Sequence, residues 1–377
     1  MHTEVLVIGA GAAGLAVAAC LKRAGFDPLV VDRGEAVGQT WASRYERLHL
    51  HTPRVQSALP GLRMPRRFGR WVAKDDMARY LRGYARHHGL DPRLRTEVRR
   101  LDRDGDRWVA TTDAGTLTAR QVIVATGYSN TPVPPRWPGM DGFPGEVVHA
   151  SAYRTAAPYA GRDVLVVGAG NTGAEIAADL AENGAADVRL AVRTPPNIIP
   201  RRVGPIPTTL LAIPMDALPA WLVDPVNRLL QRALVRDLTR YGMPRARAGV
   251  VAQARATGLT PTIDVGLVAA LRGGGVVPVA SLERFDGADA VFGDGSRFGA
   301  DAVIAATGYT TGLTPVAGHL GVLDEHGRPL VRGRHALPSA PSLRFIGLTN
   351  PLKGQLFQIR LDARAVARAV AREQRLS

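Results

Sequence analysis

Two glycine-rich turns carry the clearest chemistry in this chain: Gly9-Ala10-Gly11-Ala12-Ala13-Gly14 and Gly168-Ala169-Gly170-Asn171-Thr172-Gly173. In a GxGxxG spacing the first glycine permits a tight turn, the second lets backbone approach a pyrophosphate, and the third allows a helix to pack on a strand. The helix N-terminus then offers the anion free N–H groups and the positive end of its dipole. After the first turn, Asp32 ends the next apolar run, where a carboxylate accepts hydrogen bonds from ribose hydroxyls. After the second, the matching position is Arg193, a bidentate partner for a 2′-phosphate. NADPH is therefore expected over NADH at the second turn, with Arg201 and Arg202 as further basic candidates for its phosphate. Two dinucleotide sites in one chain imply electrons passing from a nicotinamide to a bound flavin.

The elements that hold these turns are legible around them. Val5-Leu6-Val7-Ile8 reads as a strand, Ala12 to Ala24 as an Ala-rich helix closed by Gly25, and Leu29-Val30-Val31-Asp32 as the next strand, a βαβ unit. The same order returns in Val164 to Val167, a helix through Leu180, and Val188 to Val192. A further internal echo sets Val122-Ile123-Val124-Ala125-Thr126-Gly127-Tyr128 against Val303-Ile304-Ala305-Ala306-Thr307-Gly308-Tyr309, each a buried strand entering a glycine turn. Short strands separated by Asp104-Gly105 and Ala114-Gly115 predict a small antiparallel meander between Glu97 and Thr118. The fold class expected is α/β, with two Rossmann-like dinucleotide-binding domains, an FAD domain holding an inserted NADP domain, and a small antiparallel meander in each. Residues 1–150 and 306–377 would form the FAD domain and 151–305 the NADP domain, with a helical cap near 206–256. The Pro-rich Thr131 to Pro138 reads as a linker.

Composition narrows the function classes. The 377 residues are 46% hydrophobic, enough to bury a sizeable core in two or three domains. Cys20 is the only cysteine, which excludes intramolecular disulfides, CxxC redox pairs and cysteine-based zinc sites and predicts a reducing, cytoplasmic setting. No metal site is expected. Met1 to Glu4 runs into the first strand with no basic leader or long apolar run, so no secretory signal is expected. The most apolar stretch, Leu210 to Leu230, is broken by Pro214, Asp216, Pro219, Asp224 and Pro225 and does not read as a membrane span. The net charge of +15 comes from arginines scattered along the chain, with Lys22, Lys74 and Lys353 the only lysines. That pattern reads as a surface attractive to anionic cofactors rather than as a nucleic-acid groove.

Between the two turns, Phe143-Pro144-Gly145-Glu146-Val147-Val148-His149-Ala150-Ser151-Ala152-Tyr153 matches the FxGxxxHxxx(Y/F) fingerprint of class B flavin monooxygenases. The chain resembles that family over nearly its whole length and is closest to the plant YUCCA-type branch, in Tyr45 to Pro53, Thr260 to Gly266 and both Ala-Thr-Gly-Tyr stretches. Tyr153 stands where Baeyer-Villiger members of the class usually carry tryptophan, which places the chain on the flavin-monooxygenase side. The resemblance implies that NADPH reduces FAD, that O₂ adds at the flavin C4a, and that NADP⁺ stays bound to protect the resulting hydroperoxide. A small organic substrate then takes one oxygen atom, by N or S oxygenation or by oxidative decarboxylation of a 2-oxo acid.

The same resemblance implies the contacts. Trp41 and the turn Ala125, Thr126, Gly127 and Tyr128 would lie against FAD, together with Ala13, Arg33, Thr40, Val98 and Gln355. Asn171, Thr172, Ala306, Thr307 and Gly308 would lie near NADP. His51 is similar to the site where animal-type flavin monooxygenases place an asparagine beside the flavin C4a; a catalytic role and a polar packing role are both open to it. His149 and Tyr153 read as structural, orienting the NADP domain. Trp71, Trp137, Trp221 and Phe357 are aromatic candidates for a substrate site, and Lys353 to Phe357, followed by a helix from Asp362, resembles the family's closing segment. A homodimer is compatible with the resemblance. The competing class is a flavin reductase that passes electrons on without oxygenating a substrate; the absent CxxC excludes its dithiol form, and the fingerprint counts against the rest.

Overall fold

The computed structural model describes residues 1–215 and 218–375; Asp216, counted above among the breaks in the apolar stretch, lies outside them. The chain divides into two compact units, the first comprising Met1–Ser43, Thr52–Thr131 and Tyr309–Ser377 and the second Arg44–His51 and Pro132–Gly308.

In the first unit the strand His2–Ile8 lies between Leu29–Val31 and Gly115–Val124, all parallel, with Leu343–Phe345 parallel on the far side of Gly115–Val124. Val5, Leu6 and Val7 are fully buried, as befits a parallel strand covered on both faces. The strand Gly115–Val124 serves two structures: its early residues pair antiparallel with Arg107–Thr112, which pairs with Val98–Asp104, giving the expected meander. The first-turn helix spans Ala12–Arg23, and its run Ala13 to Leu21 is buried throughout, because alanine side chains let neighbours approach closely. Lys22 and Arg23 sit at the negative end of its dipole.

The C-terminal helix packs along that first helix and begins at Gln355 rather than Asp362. Leu356 and Ile359 extend the buried stripe of Ala363, Val366 and Val370 toward the N-terminus, and Gly354, at φ +87°, ends it because a positive φ cannot continue a right-handed helix. This helix also closes an ionic contact: Arg344, 1% exposed, donates to Gln121 Oε1 at 2.7 Å and pairs with Glu373.

The second unit holds a five-stranded sheet, all parallel, in the order Val277–Val279, Asp187–Ala191, Asp163–Val167, Ala302–Ala305, Glu146–His149. The second-turn helix, Asn171–Glu182, follows Asp163–Val167. A three-stranded antiparallel meander, Leu282–Asp286, Asp289–Phe292 and Arg297–Gly299, accompanies the sheet, as expected. Helices Thr208–Met215, Ala220–Leu234 and Val250–Thr257 occupy the segment that fits neither βαβ unit. Among the described residues no helix is long and apolar enough to cross a membrane.

Candidate functional site

The two glycine turns have the same geometry. Gly9 and Gly168 stand at φ +111° and +110°, a region L side chains rarely adopt. A Cβ on Gly9 would meet Ala125 O at 2.5 Å, and one on Gly168 would meet Ala306 O at 2.7 Å. The third glycines are tighter still: a Cβ on Gly14 would fall 1.7 Å from Gly9 O, and one on Gly173 1.8 Å from Gly168 O. Gly11 and Gly170 differ in kind. Both have ordinary extended backbone, φ −78° and −72°, and a Cβ on either would meet no protein atom within 4 Å. Neither conformation nor packing requires glycine there, and the missing side chain leaves room for a ligand to approach the backbone, as a pyrophosphate does. Neither following helix has an acidic residue in its first turn or a side-chain N-cap, leaving the N–H groups available to an anion. The residues present fit two dinucleotides.

In the first unit, Asp32 accepts hydrogen bonds from Ala10 N at 2.6 Å and Gly34 N at 2.7 Å, which fixes its carboxylate at the lip of the turn. Each oxygen keeps a lone pair for a ribose hydroxyl. Arg33 is exposed and reaches Asn130 O at 3.3 Å. Ala125 N donates to Ile8 O at 2.8 Å, bringing the Ala125–Tyr128 turn beside the glycine turn, and the Thr126 hydroxyl there is buried with no hydrogen-bond partner among the described residues. Gln355, the first residue of its helix, donates to Gly347 O at 3.0 Å. A Cβ on Gly347 would meet Ala13 Cβ at 2.5 Å, so Gln355 and Ala13 share this neighbourhood. Thr40 and Trp41 lie in the short helix Gln39–Ala42, exposed and half-buried, and Val98 opens the meander, buried.

In the second unit, Arg193 is exposed just past the strand Asp187–Ala191. Both ends of the Asn171 amide are engaged: it donates to Pro261 O at 3.1 Å and accepts from Ile263 N at 2.8 Å. Thr262, 1% exposed, donates to Ala169 O at 2.9 Å. The Thr260–Gly266 stretch thus braces the second turn, and Asp264 closes it by accepting from Gly266 N and Val268 N at 3.2 and 3.0 Å. Thr172 is half-buried, Ala306 N donates to Val167 O at 2.9 Å, and Thr307 donates to Val133 O at 2.9 Å. Gly308 and its counterpart Gly127 both stand at φ +91°.

Each fingerprint residue has a packing or bonding task. Phe143 packs on Phe285 at 4.7 Å, and Gly145 leaves room for that ring, since a Cβ would meet it at 2.6 Å. His149 ends the edge strand of the sheet, where Nε2 lies 3.1 Å from Gly308 O and Nδ1 3.0 Å from Ser151 N. Burial pushes this imidazole below its usual range, opposed by the bond to Gly308. Tyr153, 1% exposed, donates to Asp179 Oδ2 at 2.6 Å, and burial followed by that carboxylate raises its phenol. Of the aromatic candidates, Trp137 packs on Phe285 and Trp221 is 76% exposed.

The sequence reading missed a buried carboxylate. Glu175, on the second-turn helix and 3% exposed, accepts from Tyr45 OH at 2.9 Å and is hydrogen-bonded to His51 Nε2. Arg47 reaches Glu182 of the same helix and donates to Val265 O at 2.8 Å. Arg201, expected near a 2′-phosphate, is half-buried, donates to Leu50 O at 2.7 Å, and is pushed down to about 10 by burial, opposed by Glu175. The segment Arg44–His51 is therefore tied to the second unit by ionic and polar side chains. A signal existed: Glu175 interrupts the apolar run Ala174, Ile176, Ala177, Ala178, where an acid has to be paired to be buried.

A family profile described as pyridine nucleotide-disulphide oxidoreductase matches residues 6–201. The chain is 36% identical over 321 residues to the indole-3-pyruvate monooxygenase YUCCA8 of Oryza sativa subsp. indica, covering 82% of this chain and 76% of that one. It is 31% identical to the probable indole-3-pyruvate monooxygenase YUCCA3 of Arabidopsis thaliana, covering 97% and 86%. Among solved structures, a flavin monooxygenase from Stenotrophomonas maltophilia, as a double mutant, superposes with a TM-score of 0.76 at 25% identity over 99% of both chains.

Proposed function

The chain belongs to the flavin monooxygenase family, on the branch of the YUCCA proteins, and from that premise we propose how its own residues serve the reaction and which substrate class it takes. It is an NADPH- and FAD-dependent monooxygenase that places one oxygen atom of O₂ in a small organic substrate. When bound, the flavin supplies the redox chemistry between NADPH and O₂.

The first turn, through Gly9, Gly11 and Gly14, holds the FAD pyrophosphate, and Asp32 holds a ribose. The second, through Gly168, Gly170 and Gly173, holds NADPH, with Arg193 on its 2′-phosphate. Arg201 serves instead to fasten Leu50, the residue before His51. His51 is the chain's polar group for the reacting oxygen: Glu175 takes Nε2, which leaves Nδ1 to hydrogen-bond or pass a proton. A carboxylate on the far nitrogen holds the ring in one orientation, the relation seen in catalytic triads. A reducing, cytoplasmic setting suits the lone, buried Cys20.

The substrate class is a 2-oxo acid. The observation that carries this reading is the name shared by the curated relatives at 31–36% identity, indole-3-pyruvate monooxygenase. In the balanced reaction a 2-oxo acid, O₂, NADPH and a proton give the carboxylic acid one carbon shorter, CO₂, water and NADP⁺. The test is turnover under ¹⁸O₂ with indole-3-pyruvate and, separately, with an alkyl sulfide and a tertiary amine. One ¹⁸O in the shortened acid, with CO₂ matching NADPH consumed, is expected. Oxygenated sulfide or amine without decarboxylation overturns the substrate class. Run alongside, His51→Ala is expected to divert NADPH oxidation to H₂O₂ with FAD retained; unchanged coupling removes His51 from the reaction.

A further inference from the structure

The helix Ala220–Leu234 has two unlike faces. One is internal: Val223 is 4% exposed, and the buried Asp224 accepts from Val251 N at 2.8 Å and Ala252 N at 3.1 Å, capping the helix Val250–Thr257. Gln231, on the same side, donates to Ile198 O at 3.1 Å. The other face is external and apolar, with Trp221 76% exposed, Leu229 67%, Val226 48% and Leu222 47%. Positions 222, 226 and 229 repeat at helical spacing, so they form a continuous stripe. A contiguous apolar face left in water marks an interaction surface.

Charge indicates what covers it. From Ala220 to Thr257 the sequence has seven arginines against two aspartates, and no lysine or glutamate. Asp224 is buried in its capping role and Asp237 is paired with Arg245 at 2.8 Å, so the outer surface is cationic. Arg228 and Arg232 are exposed and border the apolar stripe. The C-terminal helix, also rich in alternating arginine and apolar residues, differs because it buries a continuous apolar stripe, Leu356, Ile359, Ala363, Val366 and Val370, and leaves Leu361 as its one exposed large apolar side chain among the described residues.

We propose that the helix Ala220–Leu234 docks on an anionic lipid surface. It lies in the plane of the headgroups, with Leu222, Val226 and Leu229 at the acyl boundary, Trp221 at the interface, and Arg228 and Arg232 on lipid phosphates. Tryptophan and arginine suit that boundary because each joins an apolar body to a polar end. A second copy of this chain fits poorly: a two-fold contact would bring Arg228 and Arg232 of both copies to one interface, with no exposed carboxylate on the helix Ala220–Leu234 to neutralise them. A folded protein partner also fits less well, since the stripe offers apolar side chains and guanidinium groups but no neutral polar side chain to fix a register.

The test is flotation of the FAD-loaded enzyme with phosphatidylcholine vesicles, with and without phosphatidylglycerol. Binding to the anionic vesicles alone is expected, weakened by salt, with a blue-shifted Trp emission that Trp221→Phe removes. Arg228→Gln with Arg232→Gln is expected to weaken binding by on the order of tenfold or more. Leu222→Glu with Leu229→Glu is expected to abolish it, while NADPH oxidation and FAD content stay unchanged. Equal binding to both vesicle types, or no binding to either at low salt, overturns the proposal. Sedimentation velocity separates the alternatives: a dimer that the double Glu variant dissociates, without vesicle binding, assigns the face to a second copy. An acidic protein retained by the wild type and lost by the variant, again without vesicle binding, assigns it to a protein.

Discussion

The turns Gly9–Gly14 and Gly168–Gly173 agree in the geometry of their glycines and differ in the side chains around them. Their first glycines share a φ near +110°, their third glycines lie against the carbonyl of the first, and their middle glycines open onto empty space. After the following strand the first turn has Asp32, pinned by two backbone N–H groups, and the second has Arg193, exposed. The Asn171 side chain that opens the second helix is tied to the Pro261–Ile263 backbone, where the first has Ala12. The backbone grip on a pyrophosphate is therefore generic. What differs between the two turns is single side chains, Asp32 against Arg193 and Ala12 against Asn171.

The largest effects should fall on what the turns share. Gly14→Ala and Gly173→Ala place a methyl within 1.8 Å of a backbone oxygen. Each should cost more than the roughly 1–3 kcal/mol of ordinary overpacking, read as a lowered melting temperature. Comparable losses are expected, and a tolerant site at either turn would break the parallel. The middle glycines should separate the two. Gly11→Ala and Gly170→Ala should both leave the apoprotein's melting temperature unchanged, since no protein atom is met. Gly11→Ala should purify without flavin absorbance, whereas Gly170→Ala should keep FAD and raise the KM for NADPH on the order of a hundredfold, about 2.7 kcal/mol of binding. A flavin-free Gly170→Ala would reverse the assignment of the turns. The smallest effect belongs to Arg193→Ala. Losing charge-assisted bonds to one phosphate should raise the KM for NADPH roughly tenfold and leave that for NADH in place. An equal change for both coenzymes would remove Arg193 from the phosphate.

The turns were legible because each is a local event: β-branched run, glycines at fixed spacing, Ala-rich helix, second strand. The parallel strands and both meanders follow from the same local periodicities. The segment Arg44–His51 was not legible as part of the second unit, because it has no helical or strand period. What holds it is partnership with Glu175, Glu182 and Val265, each more than a hundred positions away. The start of the C-terminal helix was missed for a different reason. Lys353 to Phe357 was read as a separate closing segment, although Leu356 and Ile359 already follow the buried stripe of the helix. Trp221 shows the remaining limit: sequence marks an aromatic residue, but only the fold shows that it faces outward.

The detour of the chain through Arg44–His51 bears on how this scaffold can be recombined. The second unit is made of two pieces of chain, so it meets the first at four junctions rather than two. A graft of residues 132–308 alone would part Glu175, 3% exposed, from its own partners Tyr45 and His51, and a recipient without matching side chains there would strand a carboxylate in the interior. An uncompensated buried charge destabilises by several kcal/mol. Exchange of the second unit is thereby tied to exchange of Arg44–His51 along with residues 132–308.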